Sequence, residues 1–188
     1  MIFSKLPLAA AFALAASALP QGQQPTTTTS SSTTPSSSST STPSGGSGGI
    51  TIVNNLNTTV YMWSTSSTSG SNDQKSLTSG GGSSTESWQT TTDGGVSIKL
   101  STTEDQSSVL QFEYTKTDDG LFWDLSSIDL DEDSAFVKGG FSATADDESC
   151  AAVTCAAGDA DCAASYQQAD DEDTHSCSSS AAITLTLG

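Results

Sequence analysis

An alternation of apolar and polar residues with a period of two limits most strongly how this chain can fold. It is clearest at residues 96–100 and 110–114, and it recurs at 50–52 and 183–187. Successive side chains of a β-strand point to opposite faces, so each such segment buries one face and exposes the other. Turn-rich clusters at residues 69–73, 80–84 and 93–95 separate the segments, which predicts an all-β antiparallel sandwich. At most one short helix is expected, at residues 159–168, with Asp159 or Asp161 as its cap.

The first 49 residues lack this pattern. Residues 1–18 combine Lys5, an apolar run at 6–14 and the small residues Ala16 and Ala18, which predicts a secretion signal peptide cleaved after Ala18. Residues 25–49 contain 18 Ser or Thr, three Pro and four Gly, too little apolar surface to offset the entropy of ordering. Residues 19–49 are therefore predicted to form an extended, O-glycosylated stalk, either a spacer or a protease-resistant tail. The folded domain is expected at residues 50–188.

The charge balance excludes several classes of partner. The chain has 22 Asp and Glu against five basic residues, a formal net charge of −17, which becomes −18 if Lys5 is removed with the signal peptide. Nucleic acids and anionic lipid surfaces are bound through basic side chains, so neither nucleic acid nor membrane insertion is expected. We interpret the charge as a source of solubility in acidic surroundings. The mature protein is expected to be extracellular, associated with the cell wall, and monomeric.

Four cysteines lie in the last quarter of the chain, at Cys150, Cys155, Cys162 and Cys177. An even number of cysteines in an exported protein predicts disulfide bonds. The alternative is a zinc site that adds His175 to the cysteine ligands. The spacing fits no common zinc finger, and an oxidising compartment disfavours thiolates. Neither a metal nor another cofactor is therefore expected.

Several motifs follow one another in residues 50–188. ITIVNN and TVYMW begin the domain, VLQFEYT precedes LFWDLSSIDL, and the spacing C-x4-C-x6-C opens the cysteine region. In this order the motifs resemble the thaumatin-like proteins with their large disulfide loop domain removed. The match is best to the small fungal branch of secreted, antigenic, yeast-phase-specific proteins. The resemblance implies the disulfide Cys150–Cys177, which leaves Cys155 and Cys162, close together in sequence, to form the second.

The chain departs from this branch at two positions. Relatives of the branch carry one cysteine just after the opening VNN and another after the final TLTL, and these two are joined in the family. Leu56 and Gly188 occupy the two places here. Because both cysteines are missing together, neither leaves an unpaired thiol.

An acidic cleft in larger thaumatin-like proteins, linked to β-1,3-glucan binding and weak glucanase activity, suggests candidate carboxylates. By the resemblance, Asp124 and Asp129 match two of its aspartates, and Gln111 replaces its glutamate, with Glu113 on the same strand face. The arginine of the cleft has no counterpart. A weak endo-β-1,3-glucanase would use Asp124, Asp129 or Glu113 as a carboxylate pair with separated pKa values. The interpretation we prefer from the sequence is that Asp124 binds backbone donors in a tight turn.

Aromatic residues supply the remaining candidates for ligand binding. Five of them occupy or border predicted strands, and most are expected in the core: Tyr61, Trp63, Trp88, Phe122 and Trp123. Rings that face outward stack on sugars or anchor protein interfaces. The predicted ligand-binding residues are Trp63, Trp123, Asp124 and Asp129. Asn57 begins the only N-glycosylation sequon, in a turn where a glycan would be exposed.

These features predict a secreted, wall-associated, non-catalytic protein that binds wall glucan or a host or cell-surface protein. The small fungal branch implies roles as an antigen, in adhesion and virulence, or in conidial germination and wall morphogenesis.

Serine-hydrolase chemistry lacks support because the chain has a single histidine, His175, and no G-x-S-x-G motif. The acidic runs at 129–133 and 170–173 are interpreted as solvated loops rather than calcium sites.

Overall fold

The computed structural model describes residues 48–66 and 73–188. The predicted signal peptide, and the predicted stalk up to residue 47, lie outside the described residues. The described residues form eleven strands and one helix: β1 (Gly49–Asn54), β2 (Val60–Ser66), β3 (Lys75–Leu77), β4 (Gly82–Ser87), β5 (Val96–Ser101), β6 (Leu110–Lys116), β7 (Leu121–Ser126), α1 (Ala135–Gly139), β8 (Phe141–Ala145), β9 (Val153–Cys155), β10 (His175–Cys177) and β11 (Ala182–Leu187).

Two sheets make up the sandwich. The five-stranded sheet has the order β4-β1-β11-β8-β9, and the six-stranded sheet has the order β10-β7-β6-β5-β2-β3. Neighbouring strands run antiparallel except for β1 and β11, which pair in parallel along their whole lengths. The predicted all-β fold is confirmed.

The core follows the predicted alternation. Ile98, Phe112 and Leu125 lie side by side on β5, β6 and β7 and are almost fully buried. The polar residues between them face outward, so the six-stranded sheet has one apolar and one polar face. Ile183 and Leu185 of β11 belong to the same core from the five-stranded sheet.

The first strand and β4 begin earlier than the sequence suggested. β1 starts at Gly49, the last residue of the predicted stalk, and β4 starts at Gly82, inside the predicted turn at 80–84. The backbone is close-packed here, since a side chain at Gly48 would collide with the carbonyl oxygen of Ala181. Glycine therefore allows the chain to enter the sandwich beside β11.

The helix predicted at residues 159–168 is wrong. These residues form turns, one of them closed by the Ser165 N–H donating to the Cys162 carbonyl at 3.2 Å, and Tyr166 pairs with the end of β7. The Tyr166 N–H donates to the Leu125 carbonyl, and the Ser127 N–H donates to the Tyr166 carbonyl, both at 2.8 Å.

The helix lies instead at α1. Ser134 caps its N-terminus, with Oγ accepting a hydrogen bond from the Val137 N–H at 3.2 Å. Gly140 ends it with φ of 77°, a conformation that favours glycine. Phe136 and Val137 are buried, so this single turn is stabilised by packing of its apolar side chains.

A disulfide and an ion pair connect the two sheets at opposite edges of the sandwich. Cys150–Cys177 joins the β8–β9 loop to the edge strand β10, with Cα atoms 5.0 Å apart. At the opposite side, Lys75 of β3 and Glu86 of β4 form an ion pair of 2.6 Å. Each link connects one sheet to the other at its edge.

A second disulfide, Cys155–Cys162, ties β9 to the loop that follows, with Cα atoms 5.5 Å apart. Both implied disulfides are therefore confirmed. The zinc alternative is wrong because all four sulfurs are bridged. In the ranges 48–66 and 73–188, no helix is both long and apolar enough to span a membrane.

Candidate functional site

An open groove of about 540 Å³ lies on the outer face of the six-stranded sheet, over β5, β6 and β7. We call it the acid groove. Its lining combines hydroxyl groups, two carboxylates and the exposed ring of Phe122: Thr65, Ser97, Glu113, Thr115, Phe122, Asp124 and Thr174 are among its residues. The alternation that buries Phe112 and Trp123 places their neighbours Glu113 and Asp124 on this face.

Glu113 and Asp124 lie directly opposite each other on β6 and β7. Such residues have Cβ atoms about 4.5–5.5 Å apart, so the two carboxyl groups repel when both are ionised. Burial, then the charge of Glu113 and then that of Asp173, raise the pKa of Asp124 to about 6. The preferred interpretation of Asp124 as a turn residue is wrong, because Asp124 lies inside β7 and faces the groove.

The predicted carboxylate set is not brought together as a whole. Asp129 lies in the turn after β7, exposed to solvent, and its carbonyl accepts a hydrogen bond from the Val109 N–H at 2.8 Å. It lines a second groove of about 390 Å³ with Lys99, Ile128 and Asp131, which we call the turn groove. The carboxylate pair of the acid groove is therefore Glu113 and Asp124.

Gln111, which stands where the family cleft has a glutamate, lies on the same face of β6 as Glu113. Its Oε1 accepts a hydrogen bond from Ser97 Oγ at 3.2 Å. Ser97 lines the acid groove, so Gln111 orients a lining hydroxyl.

Trp123 does not contribute a binding surface. It is 1% exposed and stacks on Phe112, with ring centroids 5.5 Å apart and planes 13° apart. Its Nε1–H donates to Cys177 Sγ at 3.3 Å. The predicted ligand-binding role of Trp123 is wrong because its ring belongs to the core. Trp63 is 5% exposed, which leaves no ring face open for stacking, so that prediction is wrong as well.

Phe122 is the aromatic residue of the acid groove that faces solvent, with 43% of its surface exposed. It alternates with Trp123 along β7, so one ring is outside and the next inside. The sequence offered both as candidates, and the exposure of the two rings, 43% for Phe122 and 1% for Trp123, shows which faces outward.

Several groove residues were missed by the sequence analysis. Alternation alone could have placed Ser97 and Thr115 on the face of Glu113. Thr174 had no such signal, because it reaches the groove through the pairing of β10 with β7. Its neighbour Asp173 does not line the groove, but its charge helps to raise the pKa of Asp124. Asp173 Oδ1 also lies 3.9 Å from His175 Nε2.

The other predicted features are distributed over the surface. Asn57 is exposed in the loop between β1 and β2, a position open to a glycan, and its glycosylation stays a prediction. In the acidic run at 170–173, Asp171 Oδ2 accepts hydrogen bonds from the N–H groups of Gln167 and Gln168. Within the described ranges, no group of three His, Cys, Asp or Glu side chains is arranged to hold a metal ion.

Comparison with known protein families shows which family this chain belongs to. The model of the Bys1 family, the Blastomyces yeast-phase-specific protein, matches residues 37–188. The chain belongs to this family. It is 46% identical over 188 residues to the secreted thaumatin-like protein calA of Emericella nidulans, covering 100% of this chain and 98% of that protein.

Two further likenesses concern part of the sequence and the fold, respectively. The antigenic thaumatin-like protein of Arthroderma benhamiae is 39% identical over 92 residues, covering 48% of this chain and 46% of that protein. The crystal structure of the protein elicitor MoHrip2 from Magnaporthe oryzae has a TM-score of 0.62 at 22% identity, covering 74% of this chain and 98% of that one. The second likeness concerns the fold alone.

The two positions where this Bys1 protein lacks cysteines are adjacent in space. A Cβ atom at Gly188 would lie 3.0 Å from Leu56 Cδ2 and 3.2 Å from the Leu56 nitrogen. The Gly188 N–H donates to the Gly140 carbonyl at 2.9 Å, which fixes the backbone there. Leu56 is buried, so its side chain packs at the place where the resemblance implies a disulfide in relatives.

Proposed function

We propose that this secreted Bys1 protein binds a neutral cell-wall β-glucan in the acid groove and does not cleave it. The observation that carries the proposal is the exposed ring of Phe122 beside the carboxyl groups of Glu113 and Asp124 and a row of hydroxyls. Sugar rings offer apolar C–H faces to aromatic side chains and hydroxyl groups to polar ones. Both kinds of contact are available in this groove.

A polysaccharide fits this surface better than a protein strand. The main chains of β5 and β6 are paired on both sides, so a peptide has no free strand edge to extend here. A ligand must therefore be recognised by side chains. The carboxylates, in a chain of net charge −17, repel anionic polymers, which leaves a neutral polyhydroxylated chain as the best match.

The proposal of a non-catalytic role follows from the geometry of the carboxylates. Asp129 lies in the turn groove, and the chain has no counterpart of the family's cleft arginine. We place the protein at the cell wall, where glucan binding would support adhesion, host contact or conidial germination.

Sedimentation with insoluble β-1,3-glucan tests the proposal. We expect the intact protein to sediment with the polysaccharide, Phe122→Ala to reduce the bound fraction several-fold, and no reducing sugar to be released. Thr144→Ala, on the outer face of the other sheet, is the matched control and should bind normally. If the protein stays in the supernatant, the proposed function is wrong and a surface protein becomes the better partner.

A second candidate function is a weak endo-β-1,3-glucanase. The raised pKa of Asp124, about 6, beside Glu113 is the observation that favours it, since a retaining glycosidase pairs a protonated acid with a nearby carboxylate. In that case Asp124 would be the acid and Glu113 the nucleophile. Release of sugar from laminarin that Asp124→Asn and Glu113→Gln each abolish would establish the enzyme and overturn the non-catalytic proposal.

A further inference from the structure

The acid groove and the turn groove meet on β5. Ser97 lines the first, and Lys99, two residues further along the same face of the strand, lines the second. Two residues of a strand span about 7 Å. Gln111, opposite Lys99 in the register of β5 and β6, lies on the same face. The grooves are therefore neighbouring parts of one surface.

Each groove contains one large apolar side chain that faces solvent. Phe122 in the acid groove is 43% exposed and Ile128 in the turn groove is 44% exposed. Among the described residues, these are the two large hydrophobic side chains with the greatest exposure. They are six residues apart in the chain, a separation of at most about 20 Å.

Polar groups able to bind hydroxyls lie between these apolar ends. Glu113 and Asp124 accept hydrogen bonds, Lys99 donates, and Gln111 can do both. The ordering is apolar, polar, apolar along one direction of the sheet. A linear sugar chain repeats this combination of apolar faces and hydroxyl edges along its length.

We propose that the two grooves form one extended site for a linear glucan of several sugar units, anchored by Phe122 at one end and Ile128 at the other. This inference rests on the proposed glucan binding. A short oligosaccharide fills one groove, whereas a longer one engages both. Once one groove is filled, binding in the second groove is intramolecular. The affinity therefore rises more steeply with ligand length than it would for a single groove.

Calorimetric titration of the intact secreted protein with laminaribiose through laminarihexaose tests this inference. We expect affinity to rise by at least tenfold from the shortest to the longest ligand and to level off once both grooves are filled. Ile128→Ser should lower the affinity of laminarihexaose about tenfold and leave that of laminaribiose within a factor of two. Phe122→Ala should weaken both ligands. Thr85→Ala, on the outer face of the five-stranded sheet, is the matched control, and equal unfolding midpoints should show that each variant is folded.

The outcomes separate the inference from the proposed function. Affinity that does not depend on ligand length, or a long ligand that Ile128→Ser leaves unchanged, would overturn the extended site while glucan binding stands. If no oligosaccharide binds and insoluble glucan is not retained, the proposed function fails, and the extended site fails with it. Salt-sensitive capture of a lysine-rich peptide without glucan binding would assign the surface to a basic protein partner and overturn both.

Discussion

At the scale of single residues, the carboxyl group of Asp124 has the clearest electrostatic consequence. Its pKa of about 6 in the folded protein exceeds the ordinary value of 3.8 because it is partly buried and faces Glu113. Between these two pH values the folded state binds more protons than the unfolded state, so this group lowers the free energy of unfolding as pH rises. Above about pH 6 the destabilisation is complete.

Asp124→Asn should therefore stabilise the protein at neutral pH. We expect a gain in the free energy of unfolding of about 1 kcal/mol at pH 7, reduced from the full shift because the group is partly solvated, and no gain below pH 3.8. Urea unfolding across this pH range measures the difference. Asp147→Asn is the control of opposite sign: hydrogen bonds from Ser149 lower the pKa of Asp147, so its loss should destabilise at neutral pH. A gain for Asp124→Asn that does not vary with pH would contradict the electrostatic explanation.

The side chain of Asn54 makes four hydrogen bonds to backbone groups of the described residues. It is fully buried, and its Nδ2 donates to the carbonyls of Thr58, Leu77 and Thr78 at 2.9–3.1 Å. Its Oδ1 accepts from the Leu56 N–H at 3.1 Å. These bonds connect the end of β1 in one sheet to β3 in the other.

Asn54→Ala should destabilise the domain by about 3 kcal/mol, because several buried backbone groups would lose their partner. Chemical denaturation measures this value. The neighbouring Asn55 is exposed and bonds to Leu187 through its backbone N–H, so Asn55→Ala should change stability by less than about 0.5 kcal/mol. Equal effects of the two substitutions would show that the side-chain bonds of Asn54 contribute little.

At the scale of elements, β7 combines core and groove in one strand. Trp123 packs on Phe112 inside the sandwich, and Phe122 faces the acid groove outside it. Along β7, the inward side chains therefore contribute to stability, and the outward side chains are available for binding.

Substituting the two neighbours should give opposite phenotypes. Trp123→Ala is expected to lower the free energy of unfolding by about 3–5 kcal/mol through loss of a buried ring. Phe122→Ala, at 43% exposure, is expected to lower it by less than about 1 kcal/mol while weakening glucan binding. Urea unfolding and glucan sedimentation of both variants provide the two readouts. A Trp123→Ala protein as stable as the parent would contradict the burial of this ring in the core.

Local patterns in the sequence predicted the long strands because each one carries its own alternation. β5, β6 and β11 are examples. The three-residue strands β3, β9 and β10 have too few residues to show a period, and pairing with distant segments defines them: β10 pairs with β7 about 50 residues earlier. Alternation also predicted which face of the sheet carries Glu113. It did not predict that Asp124 lies opposite Glu113, since the register of β6 on β7 is set by packing of the whole sheet.

At the scale of the whole molecule, the sandwich is held by links between its edges as well as by its core. The parallel pairing of β1 with β11 places residues 49–54 beside residues 182–187. Leu56 and Gly188 extend this contact, at the positions where the resemblance implies a third disulfide.

The double variant Leu56→Cys with Gly188→Cys should therefore form that disulfide. It would close a loop of nearly the whole domain, so we expect a gain of about 2–4 kcal/mol in the free energy of unfolding, less any strain of a side chain at the positive φ of Gly188. Mass spectrometry under non-reducing conditions detects the bond, and Leu56→Cys alone is the control with a free thiol. Two free thiols in the double variant would contradict the adjacency of these positions.

Amide chemical shifts of the isotope-labelled domain during titration with laminarihexaose give the most direct test of where this protein binds glucan. We predict perturbations at Phe122, Asp124 and Ile128, across both grooves of the six-stranded sheet. The outer face of the five-stranded sheet, including Thr51 and Thr184, should not respond. Shifts confined to that opposite face, or no shifts at saturating ligand, would contradict glucan binding in the acid groove.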